Sequence, residues 1–199
     1  MDARMVRTRE ALTAAIGALL AEGRLPSITD VCAAAGVSRP TFYQHFTDVS
    51  SLVQAAAVER LQVLFDRVVP DPVGEEWGAA MPRVVRELLE SLFADADFYG
   101  RVLRSSNAHA FQERVVEFLA ARLLASSPLG AAVRAGADER RMQRSATFLA
   151  AGATWLVVGW LLEAERRPSV PEGAEEIADL LVTSITAQRR AAADAASTK

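Results

Sequence analysis

The sequence predicts an all-α protein, with a small N-terminal domain of three helices followed by a larger C-terminal helical domain. Alanine and leucine are abundant, apolar residues recur at helical spacing along the chain, and the alternation typical of strands is scarce. Of the 199 residues, 51% are hydrophobic and 24% are charged, which is typical of a globular protein with a substantial core. We predict two domains, residues 1–47 and residues 48–199.

The first helix is predicted over residues 1–21, where Leu12 and Ile16 mark the inner stripe. Glycine and proline within residues 22–26 end it. The helix begins with three arginines, which are Arg4, Arg7 and Arg9. Their charges fit phosphate contacts and ordinary solvated positions equally well.

Residues 27–52 read as a short helix, a tight turn and a second short helix. Ser27 or Thr29 can cap the first of these helices, and Gly36 follows it where a left-handed residue is favoured. Ser38 can then cap the second helix, whose first turn tolerates Pro40 because an N–H is not needed there. The pattern predicts a helix-turn-helix.

The second short helix has an apolar side and a polar side. Phe42 and Phe46, four residues apart, are predicted to anchor it in the core. Its outward residues are Arg39, Thr41, Tyr43, Gln44 and His45. A helix of this kind can lie in the major groove of DNA. The alternative is a purely structural helical hairpin, which the dense polar face disfavours.

Three segments carry a resemblance to a known family: Thr29-Asp30-Val31, Ala35-Gly36-Val37-Ser38, and Thr41-Phe42-Tyr43-Gln44-His45-Phe46. Together they resemble the DNA-binding domain of the tetracycline-repressor (TetR) family. The resemblance implies a cytoplasmic, ligand-responsive, sequence-specific DNA-binding transcription regulator, most often a repressor. It further implies a homodimer that binds a palindromic double-stranded operator.

The candidate DNA-binding residues follow from this motif: Thr29, Ser38, Arg39, Pro40, Thr41, Tyr43, Gln44 and His45. An arginine can bond a guanine edge through two N–H groups and a glutamine can read adenine, so Arg39 and Gln44 are assigned to bases. Tyr43 and His45 are assigned to phosphates.

One position departs from the family pattern. Val49 stands where the family usually places a lysine that meets DNA phosphate. Either that contact is missing, or Ser50 and Ser51, with the amides of the following helix, replace it. The alternative function is therefore a dimeric small-molecule-binding or protein-interaction module with weakened DNA binding. The nearly balanced charge of the N-terminal segment also favours this alternative.

The remaining chain reads as helices separated by breaks. Asp48 is predicted to cap a long helix that ends near residue 69, and Pro82 marks either the start of the next helix or a kink in it. The segment rich in alanine and glycine at residues 126–136 is predicted as a loop. The other predicted helices cover residues 76–94, a short segment from Asp95 or Asp97, and residues 108–125, 138–166 and 171–190.

The last two predicted helices suggest self-association. Phe148, Trp155 and Leu162 recur every seven residues, with Gly152 and Gly159 beside them. Two such helices from each subunit would form a four-helix dimer interface. The candidate interface residues are Gly159, Trp160, Leu181 and Ile185.

Residues 145–162 are uncharged and nearly long enough to span a membrane. Their glycines, threonines and alanines favour a helix buried by protein, and we predict no membrane partner.

By the same resemblance, the larger domain holds a small-molecule effector. The candidate pocket residues, which fit a plain core equally well, are Phe93, Leu103, Asn107, Phe111, Phe148, Thr154 and Trp155. Since few polar groups are placed to meet a charged ligand, an apolar or aromatic effector is predicted.

Catalysis, metal binding and a cofactor are not predicted. The chain has two histidines and one cysteine, and it lacks the HExxH, CxxC, GxSxG and glycine-rich phosphate motifs. Cys32 lies on an apolar stripe, which favours packing over redox sensing, and a single cysteine allows no disulfide within the chain. The N-terminus does not resemble a secretory signal, so a cytoplasmic location is expected. The net charge of −3 gives no general indication of nucleic-acid binding.

Overall fold

A computed structural model describes residues 3–21, 26–68, 77–105, 108–163, 165 and 167–197. These residues form helices and no strands, which confirms the predicted all-α class. The helices are α1 (Ala3–Ala21), α2 (Ile28–Ala35), α3 (Arg39–His45), α4 (Val49–Val68), α5 (Trp77–Ala94), α6 (Ala96–Leu103), α7 (Ala108–Ser126), α8 (Pro128–Arg134), α9 (Glu139–Leu162) and α10 (Val170–Ser197).

The helices belong to two compact units. The first unit comprises Met1–Val63 and Asp97–Phe111, and the second comprises Leu64–Ala96 and Gln112–Lys199. Three of the described helices contribute residues to both units: α4, α7 and α6, of which only Ala96 belongs to the second unit. The functional boundary predicted between residues 47 and 48 stays a prediction, since compactness does not define function.

The core of the first unit is built where α1 packs on α2 and α2 packs on α3. The predicted inner stripe of α1 is confirmed, because Leu12 and Ile16 are completely buried. Removing such side chains from water contributes about 1.5–3 kcal/mol each. The other fully buried large side chains of this unit are Val31, Phe42, Leu52 and Val102.

The first unit also contains α6. The Nη1 atom of Arg101 donates a hydrogen bond to the backbone carbonyl of Leu20 at 3.4 Å. Leu20 lies in the last turn of α1, a turn without a basic residue of its own, and a cation stabilises such a helix end. On the same helix, the ring of Phe98 lies beneath the guanidinium of Arg60 on α4, at 4.4 Å. These two contacts attach α6 to α1 and α4.

In the second unit, α10 packs along α5 and against α8. The helix α5 already begins at Trp77, so Pro82 is inside it and is not its first residue. An aromatic pair at 5.2 Å joins Phe65 of α4 to Phe118 of α7. The fully buried large side chains of this unit are Leu89, Leu129, Met142 and Ile185.

The loop predicted at residues 126–136 is wrong, because this segment contains α8. Ser127 caps the helix by accepting a hydrogen bond from the N–H of Leu129 at 3.2 Å, and Pro128 follows in the first turn. Gly130 is pressed against the carbonyl of Leu124, where a Cβ atom would overlap that oxygen. The glycine therefore permits close packing against the end of α7 and does not break the helix.

Candidate nucleic-acid interface

The helix α2 starts with a reciprocal cap. The Oγ of Ser27 accepts a hydrogen bond from the N–H of Asp30 at 3.2 Å, and the N–H of Ser27 donates to the Asp30 carboxylate at 2.9 Å. These bonds satisfy two donors that otherwise lack partners at a helix start. Of the two caps that the sequence allowed, the structure therefore uses Ser27.

The turn between α2 and α3 depends on Gly36. This residue has φ +65° and ψ +32°, a left-handed conformation that glycine adopts without strain. Its N–H points back to the carbonyl of Ala33, and the N–H of Val37 donates to Cys32 at 3.0 Å. The chain thus reverses within a few residues, as a helix-turn-helix requires.

The helix α3 is capped as the sequence predicts. The Oγ of Ser38 accepts a hydrogen bond from the N–H of Thr41 at 3.2 Å, and the two hydroxyl groups lie 2.8 Å apart. Phe42 is completely buried and Phe46 almost so, with ring centroids 6.1 Å apart. The N–H of Phe46 closes the last turn on the carbonyl of Phe42 at 2.9 Å. Both ends of this short helix are therefore held.

The outer side of α3 is polar and accessible. The side chains of Arg39, Pro40 and Gln44 are exposed, and Tyr43 is 54% exposed with its ring edge-on to Phe42 at 5.6 Å. The structure brings the candidate DNA-binding residues into one unit and most of them onto one helix. Of the remaining candidates, Thr29 and Ser38 are exposed, whereas Thr41 and His45 are half-buried. Their contacts with DNA stay predictions.

The positive charge of the first unit comes from arginines in different settings. The first unit carries one more arginine than acidic residues, although the whole chain has a net charge of −3. Arg7 is exposed on α1, whereas Arg9 pairs with Glu59 at 3.3 Å. The guanidinium of Arg9 also lies 5.0 Å from the centre of the Phe46 ring. Of the three arginines near the N-terminus, Arg9 is thus part of the packed structure.

The start of α4 offers few free hydroxyl groups. Asp48 accepts a hydrogen bond from the N–H of Ser51 at 2.7 Å, and the Ser51 hydroxyl donates to the Asp48 carbonyl at 2.8 Å. The Ser50 Oγ is buried and has no hydrogen-bond partner among the described residues. Val49 is half-buried. The hydroxyls of Ser50 and Ser51 are therefore poorly placed to replace a lysine that binds phosphate.

The structure distributes the candidate effector residues over both units. Leu103 and Phe111 are buried in the first unit. In the second unit Thr154 is buried and donates to the carbonyl of Ala150 at 2.7 Å, while Phe93 lies beneath the guanidinium of Arg167 at 4.5 Å. Phe148 and Trp155 lie on the surface of this unit, so they do not line an enclosed site within it. Asn107 lies outside the described residues.

The candidate dimer residues are divided between surface and core. Ile185 is completely buried in its own subunit, and Trp160 is almost buried, edge-on to Phe93 at 6.5 Å. Leu181 and Gly159 are half-buried, and a Cβ atom built on Gly159 would meet no described atom within 4 Å. Of the four, Gly159 is thus the residue that opens onto free space.

The surface of α9 holds the aromatic residues that the sequence assigned to a pocket. Phe148 is 76% exposed and Trp155 is 74% exposed, and Gly152 beside them faces open space. The seven-residue spacing of Phe148 and Trp155 was the available signal that they share one face.

Among the described residues, α9 is the one unbroken helix that is long and apolar enough to cross a membrane. Buried core helices of soluble proteins pass the same test. Only 28% of its apolar window is buried within the subunit.

The described residues contain no group of three or more histidine, cysteine or acidic side chains placed to hold a metal ion. Cys32 is buried on α2 among apolar residues, consistent with a packing role.

Comparison with known proteins identifies the fold. No protein-family model and no curated protein matches the sequence. One similar solved structure is the TetR family repressor AlkX from Dietzia sp. strain DQ12-45-1b, which is implicated in biodegradation of n-alkanes. It aligns with a TM-score of 0.63 at 20% identity, and the alignment covers 89% of this chain and 95% of AlkX. The dihydroxyacetone kinase operon activator DhaS aligns with a TM-score of 0.58 at 16% identity and covers 90% of this chain and 96% of its own. The chain therefore has the fold of the TetR-family transcription regulators.

Proposed function

We propose that this protein is a dimeric, ligand-responsive transcription regulator that binds a palindromic DNA operator and acts in the cytoplasm as a repressor. The observation that carries the proposal is the polar outer side of α3, held in a capped helix-turn-helix by the buried rings of Phe42 and Phe46. A recognition helix of this kind enters the major groove and reads base edges.

Two kinds of contact are assigned to α3. Arg39 at its N-terminal end bonds a guanine, and Gln44 bonds an adenine, because their side chains match the donor and acceptor patterns of those bases. Tyr43 and His45 bond phosphates, together with the exposed hydroxyls of Thr29 and Ser38. Pro40 and Thr41 contact a thymine methyl group or a phosphate. Base contacts give specificity, whereas phosphate contacts add affinity that depends on salt.

Dimerisation is assigned to the exposed face of α9, defined by Phe148, Gly152, Trp155 and Gly159. Two large aromatic side chains on one helix, each about three-quarters exposed, are unusual on a monomer. The glycines permit a second helix to approach closely. On α10, Leu180 is 53% exposed and belongs to the same proposed interface. Two copies of such a face satisfy the symmetry of a palindromic operator.

Effector response is assigned to the long helix α4, which contributes residues to both compact units. Binding of an apolar or aromatic ligand in the second unit would tilt α4 and change the spacing of the two recognition helices. Within the first unit, α6 contacts α1 through Arg101 and α4 through Arg60. A movement of α6 would therefore also be transmitted to α1 and α4. The matched structures include an activator and a repressor, so the sign of regulation is to be measured directly.

The start of α4 favours a second candidate function. With Val49 in the place of a lysine and the hydroxyls of Ser50 and Ser51 unavailable, phosphate contacts at this helix are reduced. The chain would then be a dimeric small-molecule-binding or protein-interaction module with weak DNA binding.

A binding experiment separates the two candidates. The wild-type protein is incubated with the DNA upstream of its own gene and with a random-sequence duplex pool, between about 50 and 200 mM salt. Enrichment of one palindromic sequence, with affinity that falls linearly with the logarithm of salt, is the expected result. Failure to enrich any sequence at the lowest salt would contradict operator binding and favour the second candidate. A reporter gene downstream of the enriched site then gives the sign of regulation.

A further inference from the structure

The guanidinium of Arg9 joins three helices of the first unit. Arg9 is on α1, and its Nε atom is 3.3 Å from the Oε1 of Glu59 on α4. Its Cζ atom lies 5.0 Å from the centre of the ring of Phe46, the residue that directly follows α3 in the chain. Both members of the ion pair remain partly exposed, so the pair is not a feature of the core.

Phe46 is the C-cap residue of α3. Its N–H closes the final turn on Phe42, and its ring lies 6.1 Å from the ring of Phe42 and 6.4 Å from that of His45. A displacement of this ring therefore moves the C-terminal end of α3, which carries His45 and Gln44. The guanidinium of Arg9 covers the ring from the side of α1.

Glu59 is needed to keep the arginine in that place. An arginine side chain has several rotatable bonds, so holding it in one orientation costs conformational entropy. The carboxylate on α4 selects the orientation in which the guanidinium lies over Phe46. A partly exposed ion pair and a cation–π contact are each weak interactions, so the expected effect on DNA affinity is modest.

We propose that Arg9 is a positioning residue for the recognition helix α3, which it holds against α1 and α4 through Phe46 and Glu59. This inference rests on the proposed DNA-binding function, and it assigns Arg9 a role different from a phosphate contact. The two roles predict opposite effects of removing the Glu59 charge. A positioning arginine loses its orientation when Glu59 is neutralised, whereas a phosphate-binding arginine is released from a competing carboxylate.

The test measures operator affinity as a function of salt for Arg9→Ala, Arg9→Lys, Glu59→Gln and wild type. The probe is a duplex that the wild-type protein selects from a random-sequence pool. Arg9→Ala and Glu59→Gln should each weaken binding roughly three- to tenfold with an unchanged salt slope, because no phosphate contact is lost. Arg9→Lys should recover part of the loss, since an ammonium group also binds an aromatic face.

Phe46→Leu supplies the second arm of the test. This variant keeps an apolar side chain but removes the ring, so Arg9→Ala should weaken binding less in that background than in wild type. Circular dichroism shows whether each variant remains folded. The matched control is Arg86→Ala, which removes an exposed arginine of α5 in the second unit and should leave DNA affinity unchanged.

Two results would overturn the inference. In the first, Arg9→Ala lowers the salt slope by about one and Glu59→Gln strengthens binding, which identifies Arg9 as a phosphate ligand. In the second, neither variant changes affinity, which makes Arg9 an ordinary surface charge. If the wild-type protein selects no sequence, the proposed function itself has failed, and that result is distinct from both.

Discussion

The outer faces of α3 and α9 both present aromatic side chains to solvent, but their surroundings differ. On α3, Tyr43 lies beside Arg39 and Gln44. When a polar molecule binds this face, the hydrogen bonds of these side chains with water are replaced by hydrogen bonds with that molecule. On α9, the exposed rings of Phe148 and Trp155 stand beside glycines, and this surface gains free energy mainly by leaving water. The polar face is suited to nucleic acid and the apolar face to protein.

The largest expected effect comes from placing a charge on the apolar face. Trp155→Asp should convert the proposed dimer to monomers, because association through α9 would bury a carboxylate without a partner. Central aromatic residues of interfaces contribute about 2 kcal/mol or more, so self-association should weaken by at least roughly 30-fold. Sedimentation equilibrium measures the change, and operator affinity should fall with it.

Val63→Asp is the matched control for this substitution. Val63 is 70% exposed on α4, so the variant adds the same charge at an exposed apolar position on a different helix. It should leave self-association unchanged. A Trp155→Asp protein that still dimerises as tightly as wild type would show that the interface is not on α9.

The next effect concerns the polar face. Arg39→Ala should relax base preference at one operator position by about 1–3 kcal/mol, because a base contact is lost. Tyr43→Phe removes only a hydroxyl and should weaken binding to all sequences alike. Affinities for a set of single-base operator variants measure both. If Tyr43→Phe altered base preference and Arg39→Ala did not, the roles assigned to these side chains would be exchanged.

A glycine-to-alanine substitution should have opposite effects on the two helix regions. Gly36→Ala forces alanine into a left-handed conformation and should lower the free energy of unfolding by about 1–2 kcal/mol. Gly152→Ala meets open space within the subunit and should raise helix stability by up to about 1 kcal/mol, while hindering dimerisation. Urea denaturation at low protein concentration measures the free energy of unfolding of both variants. Sedimentation measures the dimerisation of Gly152→Ala. Equal destabilisation of the monomer by both variants would contradict this reading.

The smallest effect is a pH dependence at the start of α10. Hydrogen bonds from the Ser169 side chain and then from its backbone N–H lower the pKa of Glu172 from its ordinary value of 4.5. Because the folded pKa lies below the unfolded one, this stabilisation is present above pH 4.5 and is lost as the pH falls through the folded pKa. The difference in unfolding midpoint between wild type and Glu172→Gln should therefore shrink upon acidification. A difference that grows as the pH falls would contradict the assigned cap.

The sequence was most informative where structure depends on neighbouring residues. The caps at Ser38 and Asp48, the left-handed Gly36 and the burial of Phe42 and Phe46 are confirmed, since each follows from contacts within a few residues. The choice between Ser27 and Thr29 as a cap needed coordinates. The same local rules failed at Gly130, where closeness to Leu124 overrides the usual meaning of glycine in a helix.

The sequence was less informative about which apolar residues face solvent. It assigned Trp160 and Ile185 to a dimer interface and Phe148 and Trp155 to a pocket, whereas the first pair is buried in the subunit and the second pair is exposed. The periodicity of α9 and α10 identifies residues that share a face. It does not indicate which face the rest of the chain covers, because that depends on tertiary contacts such as those of α10 with α5, a helix distant in sequence.

By itself, the sequence determined an all-α chain and a helix-turn-helix. In its second helix, the helical spacing of the residues places polar side chains on one side and apolar side chains on the other. Local hydrogen bonds and hydrophobic periodicity are sufficient for both. Only the tertiary structure decided that Arg9 pairs with Glu59 over Phe46, that α6 joins the unit that contains α3, and that the rings of α9 remain uncovered. The first two features depend on contacts between residues far apart in the chain, such as the 50 positions between Arg9 and Glu59 and the 81 between Leu20 and Arg101, for which a single sequence carries no periodic signal.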